Sequence, residues 1–371
     1  MHDSKNVLIG GSFPILVQSM WKDSISFSSL NNRESNVFIN RIETLKAMGC
    51  GLLRFAVPSL EDAEIVGELS GRVSMPLCAD IHFDYKIALR CLDFPIAKLR
   101  INPGNIGKPE NAAKVILKAA KKNIPIRIGV NSGSLPQKQR NILKESHSDS
   151  KRAEALVNAA LDELELFKQL GYVNVIVSMK AARIADTIMA NRLFRQYSDI
   201  PLHIGVTEAG PLIGGIVRNS AALAPLLAEG IGDTIRVSLS DSAENEIIAG
   251  KEICNAAAEL AKLAGNKGMM DRLKQSGVRL ISCPRCGRHG FDTIAFTDRW
   301  KSRFSLIKKD CSIAVMGCEV NGLQEAKEAD LGITGSGNTI IIFKKGKIIK
   351  SFGFAENKEI DLIFEKELDT L

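Results

Sequence analysis

Aromatic residues are scarce: 2 Trp, 3 Tyr and 15 Phe make up 5% of the 371 residues. Proteins that hold single-stranded nucleic acid stack bases on aromatic side chains set among basic ones. Here Lys and Arg are dispersed and do not interleave with aromatics, so no nucleic-acid partner is expected despite a formal net charge of +7. Long apolar runs are also missing. Nothing approaches the ~20 residues that cross a bilayer, and Met1-His2-Asp3-Ser4-Lys5-Asn6 lacks the apolar core of a signal peptide. A cytoplasmic protein with no membrane association is expected. Repeats and low-complexity tracts are absent as well. The positive charge then suits an anionic ligand or an acidic protein partner. In a reducing compartment, the 8 cysteines read as thiols or metal ligands rather than disulfides.

What is present is an alternation of strands and helices. Short β-branched runs at 15–20, 52–57, 77–81, 98–102, 126–131, 173–178, 202–206 and 234–239 are separated by amphipathic stretches, clearest at 37–48, 110–122, 153–170, 183–197 and 243–263. Gly51, Gly171 and Gly230 follow such stretches, where a left-handed helix end is wanted. Alternation of this kind builds parallel βα units, and eight of them over ~250 residues match a TIM-type (β/α)8 barrel. The pattern fades after Gly265. A boundary near 267 is expected, giving a barrel over 1–266 and a small α+β domain over 267–371. The latter carries strands near 279–282, 312–316 and 339–343 and helices near 292–307 and 357–368.

In such a barrel, polar residues at the C-terminal ends of strands line the active face. Nearly every candidate strand ends that way: Gln18, Arg54, Asp80 with His82, Arg100 with Asn102, Arg127 with Asn131, Ser178 with Lys180, His203 with Glu208, and Arg236 with Ser238. Four arginines and a lysine at one mouth are costly to bury unless paired. Pairing with Asp80, Glu61 or Glu208 would account for single arginines. The whole ring points to an anion, and guanidinium forks match a diphosphate better than one carboxylate. Glu208 is a candidate proton donor, while His203, earlier in its strand, reads as structural.

Cys283-Pro284-Arg285-Cys286 is a Cys-x2-Cys turn, and Cys318 follows. This spacing chelates zinc or an iron-sulfur cluster. A zinc site would draw its fourth ligand from Cys311 or His289, whereas Glu325 could supply an oxygen. Cys311, opening a strand, reads as a buried thiol. Cys50, Cys78, Cys91 and Cys254 sit among apolar neighbours as small core residues.

Taken in order, PILVQSM (14–20), ADIHFDY (79–85), LRINPGNIG (99–107), RIGVNSGSL (127–135), GVTEAG (205–210), GIGDTIRVSL (230–239) and the cysteine motifs resemble the 4-hydroxy-3-methylbut-2-enyl diphosphate synthases. These are iron-sulfur enzymes of the non-mevalonate isoprenoid pathway. The resemblance spans nearly the whole chain. It implies reductive ring opening of 2-C-methyl-D-erythritol 2,4-cyclodiphosphate by electrons from flavodoxin or ferredoxin, through one 4Fe-4S cluster per chain held by Cys283, Cys286, Cys318 and Glu325. It further implies diphosphate binding by Arg54, Arg100, Arg127, Lys180, Arg236 and Ser238, pocket positions at His82, Asn102 and Asn131, proton delivery by Glu208, and a head-to-tail homodimer. The chain departs from the family in two places. Met20-Trp21-Lys22-Asp23 stands where Met-Thr-Asn-Thr is usual, and Asn321-Gly322-Leu323-Gln324-Glu325 replaces Asn-Gly-Pro-Gly-Glu. Two other readings compete: a pterin-type transferase barrel with structural zinc, and a non-catalytic iron-sulfur protein.

Overall fold

A computed structural model describes residues 7–26, 34–131, 135, 137–287, 289–318, 320–336, 338–353 and 357–371. The Ser132-Gly133-Ser134 part of the RIGVNSGSL motif lies outside them, as does Glu319. The chain divides into two compact units, 1–275 and 276–371.

The first unit contains eight parallel strands: β1 (Leu16–Met20), β2 (Leu52–Ala56), β3 (Leu77–Asp80), β4 (Lys98–Ile101), β5 (Ile126–Asn131), β6 (Val175–Lys180), β7 (His203–Ile204) and β8 (Thr234–Ile235). They pair in the order β6-β5-β4-β3-β2-β1-β8-β7, and a parallel bridge from Val177 to Leu202 joins the two ends. Closure leaves no free sheet edge. Every residue of β3, β4 and β6 is buried, because helices cover the outside while the inside is filled by side chains. The expected helices appear as Glu34–Ala47, Pro109–Lys122, Asp149–Gln169, Ile184–Tyr197 and Ala243–Leu263.

Three sequence expectations shift. Strands β7 and β8 are only two residues long; just beyond β7, Gly205 brings its backbone so near Arg236 that a Cβ there would lie 2.5 Å from the Arg236 carbonyl oxygen. The left-handed residue after helix Glu34–Ala47 is Gly49, with φ 109°, rather than Gly51; Gly171 and Gly230 do take positive φ. The boundary near 267 moves to 276. Helix Lys267–Leu273 packs Met269 and Leu273 into the barrel's apolar shell, and Arg272 pairs with Asp233 at 2.8 Å while donating to the Phe13 carbonyl at 3.0 Å.

The second unit is a mixed five-stranded sheet in the order β13-β12-β11-β10-β9. Strands β9 (Val278–Ser282), β10 (Cys311–Met316) and β11 (Leu331–Ser336) run parallel, whereas β12 (Thr339–Lys344) and β13 (Lys347–Gly353) are antiparallel. Helices Thr293–Leu306 and Asn357–Asp369 supply Phe296, Trp300, Phe304 and Phe364 to its core. Adjacent rings of this cluster lie 5.0 to 6.3 Å apart, within the range in which aromatic pairs attract. A chain with few aromatics thus concentrates them where its smaller core most needs bulk.

Candidate active site and cluster-ligand residues

Because side chains alternate along a strand, Lys98 and Arg100 point the same way on β4, as do Ser178 and Lys180 on β6. Register then aligns Asp80, Arg100 and Arg127 across β3, β4 and β5. Arg100 and Arg127 are 3% and 2% exposed, and Lys98 and Lys180 are 1% and 4% exposed. Arg54 and Arg236 are partly buried beside them. Room for the stems comes from missing side chains. A Cβ on Gly129 would fall 2.5 Å from Arg100 Nε, and one on Gly205 would fall 2.7 Å from Lys180 Nζ.

Asp80 binds Arg100 at 3.0 Å, with Arg54 at 3.5 Å and His82 at 3.4 Å. Burial opposes its charge, but Arg54, the His82 hydrogen bond and Arg100 together hold its carboxyl well below the usual range. Arg236 binds Glu246 at 3.1 Å. Arg127 has a neutral partner: Nη1 donates to Ser178 Oγ at 2.6 Å, and its Nε is buried without an acceptor. Burial, then Arg54 and Arg100, push its pKa well below the ordinary value. Lys180 is lowered in the same way by burial and by Arg127, Arg54, Arg236 and Arg100. Lys98, which donates to Gln18 Oε1 at 3.0 Å, is lowered to about 7, chiefly by burial. Six basic side chains (Arg54, Lys98, Arg100, Arg127, Lys180 and Arg236) therefore share two carboxylate partners among the described residues, Asp80 and Glu246. The imbalance marks a site for an anion.

His203, read from sequence as structural, touches this cluster. Its Nε2 is 2.9 Å from Lys180 Nζ and its Nδ1 is 2.7 Å from Thr234 Oγ1. Burial and the surrounding cations keep the imidazole neutral, so Nε2 accepts from Lys180 and Nδ1–H points to Thr234. Lys98 and Glu246 were not singled out from sequence. The period-two spacing of Lys98 with Arg100 was a usable signal for the first. Glu246 reads as an ordinary acid in the first turn of a helix, and only the fold shows that it reaches Ser19 at 2.8 Å.

Around the mouth, Asn102 caps a short turn by accepting from Gly104 N at 3.2 Å, and that amide also meets Glu163 at 3.1 Å. Asn131 ends β5 level with Lys180, and Ser238 follows β8. Glu208 is exposed, with φ 53°, on a turn held by Arg218 donating to the Ala209 carbonyl at 2.7 Å. A recess of about 720 Å³ at the opposite end of the barrel, among Pro95, Pro125 and Val173, lies away from the basic cluster.

In the second unit, Cys283 follows β9 and Cys318 follows β10 at the same end of the sheet, since Ser282 pairs with Val315. The Cys283 Sγ lies 3.7 Å from where a Cβ on Gly317 would be, beside Cys318. The Cys318 carbonyl accepts from Gly322 N at 2.9 Å and Thr334 Oγ1 at 2.8 Å, which fixes the turn leading to Glu325. Cys283 and Cys318 are half-buried and Cys286 is exposed, while Cys50, Cys78, Cys91, Cys254 and Cys311 are buried. Burial pushes the Cys50, Cys91 and Cys254 thiols up to about 12 and raises Cys78 and Cys311. Cys311 pairs with Val278 at the other end of the sheet, which removes it as a fourth ligand. His289 has both ring nitrogens engaged within the turn, at 2.7 Å from the Cys286 carbonyl and 2.9 Å from Arg285. Accessible thiols on one sheet end, with a carboxylate on the following turn, fit a thiolate-ligated iron-sulfur group in chemistry. The described residues do not bring three such ligands to coordinating distance of one point.

Comparison with known proteins agrees with this division. The family model described as the GcpE TIM-barrel domain matches residues 3–251, and that of the GcpE protein C-terminal domain matches 279–368. Among curated proteins, the chain is 46% identical to the 4-hydroxy-3-methylbut-2-en-1-yl diphosphate synthase (flavodoxin) of Treponema denticola, covering 99% of this chain and 95% of that one. The enzyme of the same name from Treponema pallidum is 46% identical (98% and 88% covered), and that from Clostridium acetobutylicum is 39% identical (99% and 97%). Neither the zinc-bearing transferase nor the non-catalytic carrier finds support in these matches. Barrel, small domain and near-full-length identity together make this chain a member of the GcpE family of 4-hydroxy-3-methylbut-2-en-1-yl diphosphate synthases.

Proposed function

We propose that the protein opens 2-C-methyl-D-erythritol 2,4-cyclodiphosphate reductively to 4-hydroxy-3-methylbut-2-enyl diphosphate, taking electrons from flavodoxin or ferredoxin in the cytoplasm. The diphosphate leaves the tertiary carbon and stays on the primary one, and a neighbouring hydroxyl departs as water. Two electrons and two protons balance the change. The observation that carries this reading is the excess of buried basic side chains over carboxylates at the strand ends, which a multiply charged anion relieves.

Arg54, Arg100, Arg127, Lys180, Arg236 and Ser238 grip the diphosphate in this scheme. Asp80 orients Arg54, Arg100 and His82, while His203 orients Lys180. His82, Asn102 and Asn131 meet the rest of the substrate. Glu208, on its strained turn, delivers a proton to the departing hydroxyl. Cys283, Cys286, Cys318 and Glu325 would hold one 4Fe-4S cluster per chain. Such a cluster supplies single electrons and, where its fourth ligand is a labile carboxylate, an iron open to oxygen. Exposed apolar side chains at segments following β2, β3 and β7, namely Leu60, Phe83 and Ile213 at 51%, 76% and 78% exposure, support cover of the barrel mouth by another chain. A head-to-tail homodimer would provide it.

The test is anaerobic purification with iron, sulfide and zinc analysis. About four irons and four sulfides per chain, with a brown colour, are expected; a colourless protein holding zinc would sink the redox reading.

A further inference from the structure

Lys22 lies on the loop after β1. Its ammonium sits 2.9 Å from Glu246 Oε1 and donates to the carbonyl of Leu239 at 2.8 Å and to that of Asp241. Three acceptors thus meet three protons. Its neighbours fix the loop on both sides. Trp21 is buried, stacked on Phe55 with centroids 5.6 Å apart and edge-on to Phe38 at 4.6 Å. Asp23 pairs with Arg41 at 2.6 Å, and the Arg41 guanidinium lies 5.0 Å over the Trp21 ring.

The partner of Lys22 is the carboxylate that also holds Arg236. Glu246 is fully buried; its Oε1 accepts from Arg236 and from Leu239 N, each at 3.1 Å, and its Oε2 accepts from Ser19 at 2.8 Å. Lys22 therefore ties β1 to the segment 236–241, which carries both Arg236 and Ser238. A recess of about 450 Å³ opens between them, lined by Met20, Trp21, Lys22, Phe55, Arg236 and Leu239. With Arg236 as its sole cation, Glu246 would cancel that arginine's charge. A second cation on the same oxygen leaves the trio with net positive charge.

We infer that Lys22 is a positioning residue of the diphosphate site: it fixes segment 236–241 and shares the charge of Glu246, so that Arg236 can engage a phosphate. The inference rests on the proposed reading for the identity of the substrate, but not for the anion site itself.

The test compares the full-length wild type with Lys22→Met, which keeps the aliphatic stem, and Lys22→Arg. Calorimetry with inorganic pyrophosphate reads the anion site. Lys22→Met should bind about tenfold more weakly, the size of one charge-assisted hydrogen bond, and Lys22→Arg should recover most of the loss. In turnover of the cyclic diphosphate, KM should rise by a similar factor while kcat stays within about twofold, since uniform binding is lost. Pyrophosphate affinity equal to wild type in Lys22→Met overturns the inference, as does a Lys22→Arg variant no better than Lys22→Met, or a wild type that binds no pyrophosphate. If Lys22→Met does not fold, Lys22→Gln, which can still donate to the carbonyls, reads the same affinity. A wild type that binds pyrophosphate more tightly than Lys22→Met, yet never turns over the cyclic diphosphate, would sink the reaction and keep the clamp.

Discussion

Replacing Arg127 with Met should make the ligand-free protein more stable and the anion complex much weaker. Arg127 is 2% exposed, donates to the neutral Ser178, leaves Nε unpaired, and faces Arg54 and Arg100. Burying a cation in that setting works against folding, and replacing buried charged groups by apolar ones of similar volume is often neutral or stabilising by about 1–4 kcal/mol. Taking ~1–2 kcal/mol for a site already hydrogen-bonded once, a unit of this size should melt about 2–8 °C higher. The bound dianion loses a buried, charge-assisted partner, about 2–4 kcal/mol or roughly 30- to 1000-fold in affinity. The two effects have opposite signs, as expected where stability is traded for function. Thermal melts of both proteins, with and without inorganic pyrophosphate, read both terms. A variant that melts lower without ligand and binds pyrophosphate as wild type does would refute the argument that Arg127 is strained for binding.

Anion binding should take up protons. Burial holds Lys98 near 7 and lowers Lys180 in the free protein; a bound diphosphate draws both back up. Above pH ~7 the complex then holds more protons than its parts, so affinity falls as pH rises from 7 to 9. Calorimetry at pH 8 in buffers of different ionisation heat should show net uptake, and none would contradict the shifts. Gly205→Ala should destabilise by about 1–3 kcal/mol in chemical denaturation, more than Gly129→Ala, because its Cβ meets the Arg236 backbone at 2.5 Å rather than a flexible guanidinium; the reverse order would argue against the close approach. Cys318→Ser should lose its iron, while Cys311→Ser should keep it, as read by metal analysis; a cluster lost in Cys311→Ser would reinstate that buried thiol.

Much of the barrel was legible because parallel strands buried on both faces read as short β-branched runs, and inward polar residues such as Arg100, Arg127 and Lys180 interrupt those runs near their ends. Strand β11 was not, since Gly332 and Gly335 argue against a strand. They are there because a Cβ on Gly332 would fall 2.1 Å from the Phe343 ring, and one on Gly335 2.6 Å from the Gly290 backbone. Strand β13, with Lys347 and Lys350 on an exposed edge, also lacked a strand-like pattern. Within the site, single residues at strand ends could be named, and Asp80 offered as a partner for arginines, but the partners of Arg236 and Arg127 could not. Ser19 and Glu246 are 227 positions apart in sequence, and nothing local links them. Cys311 and Cys318 show the same limit: both flank one strand, and only its register with β9 shows which end faces Cys283.

The most direct test of the central claim is incubation of anaerobically purified protein with the cyclic diphosphate and a chemical reductant, followed by phosphorus NMR. The account predicts loss of the ring diphosphate and appearance of a linear diphosphate monoester, with two electrons consumed per product. A protein fully loaded with iron and sulfide that binds the cyclic diphosphate and returns it unchanged would contradict it.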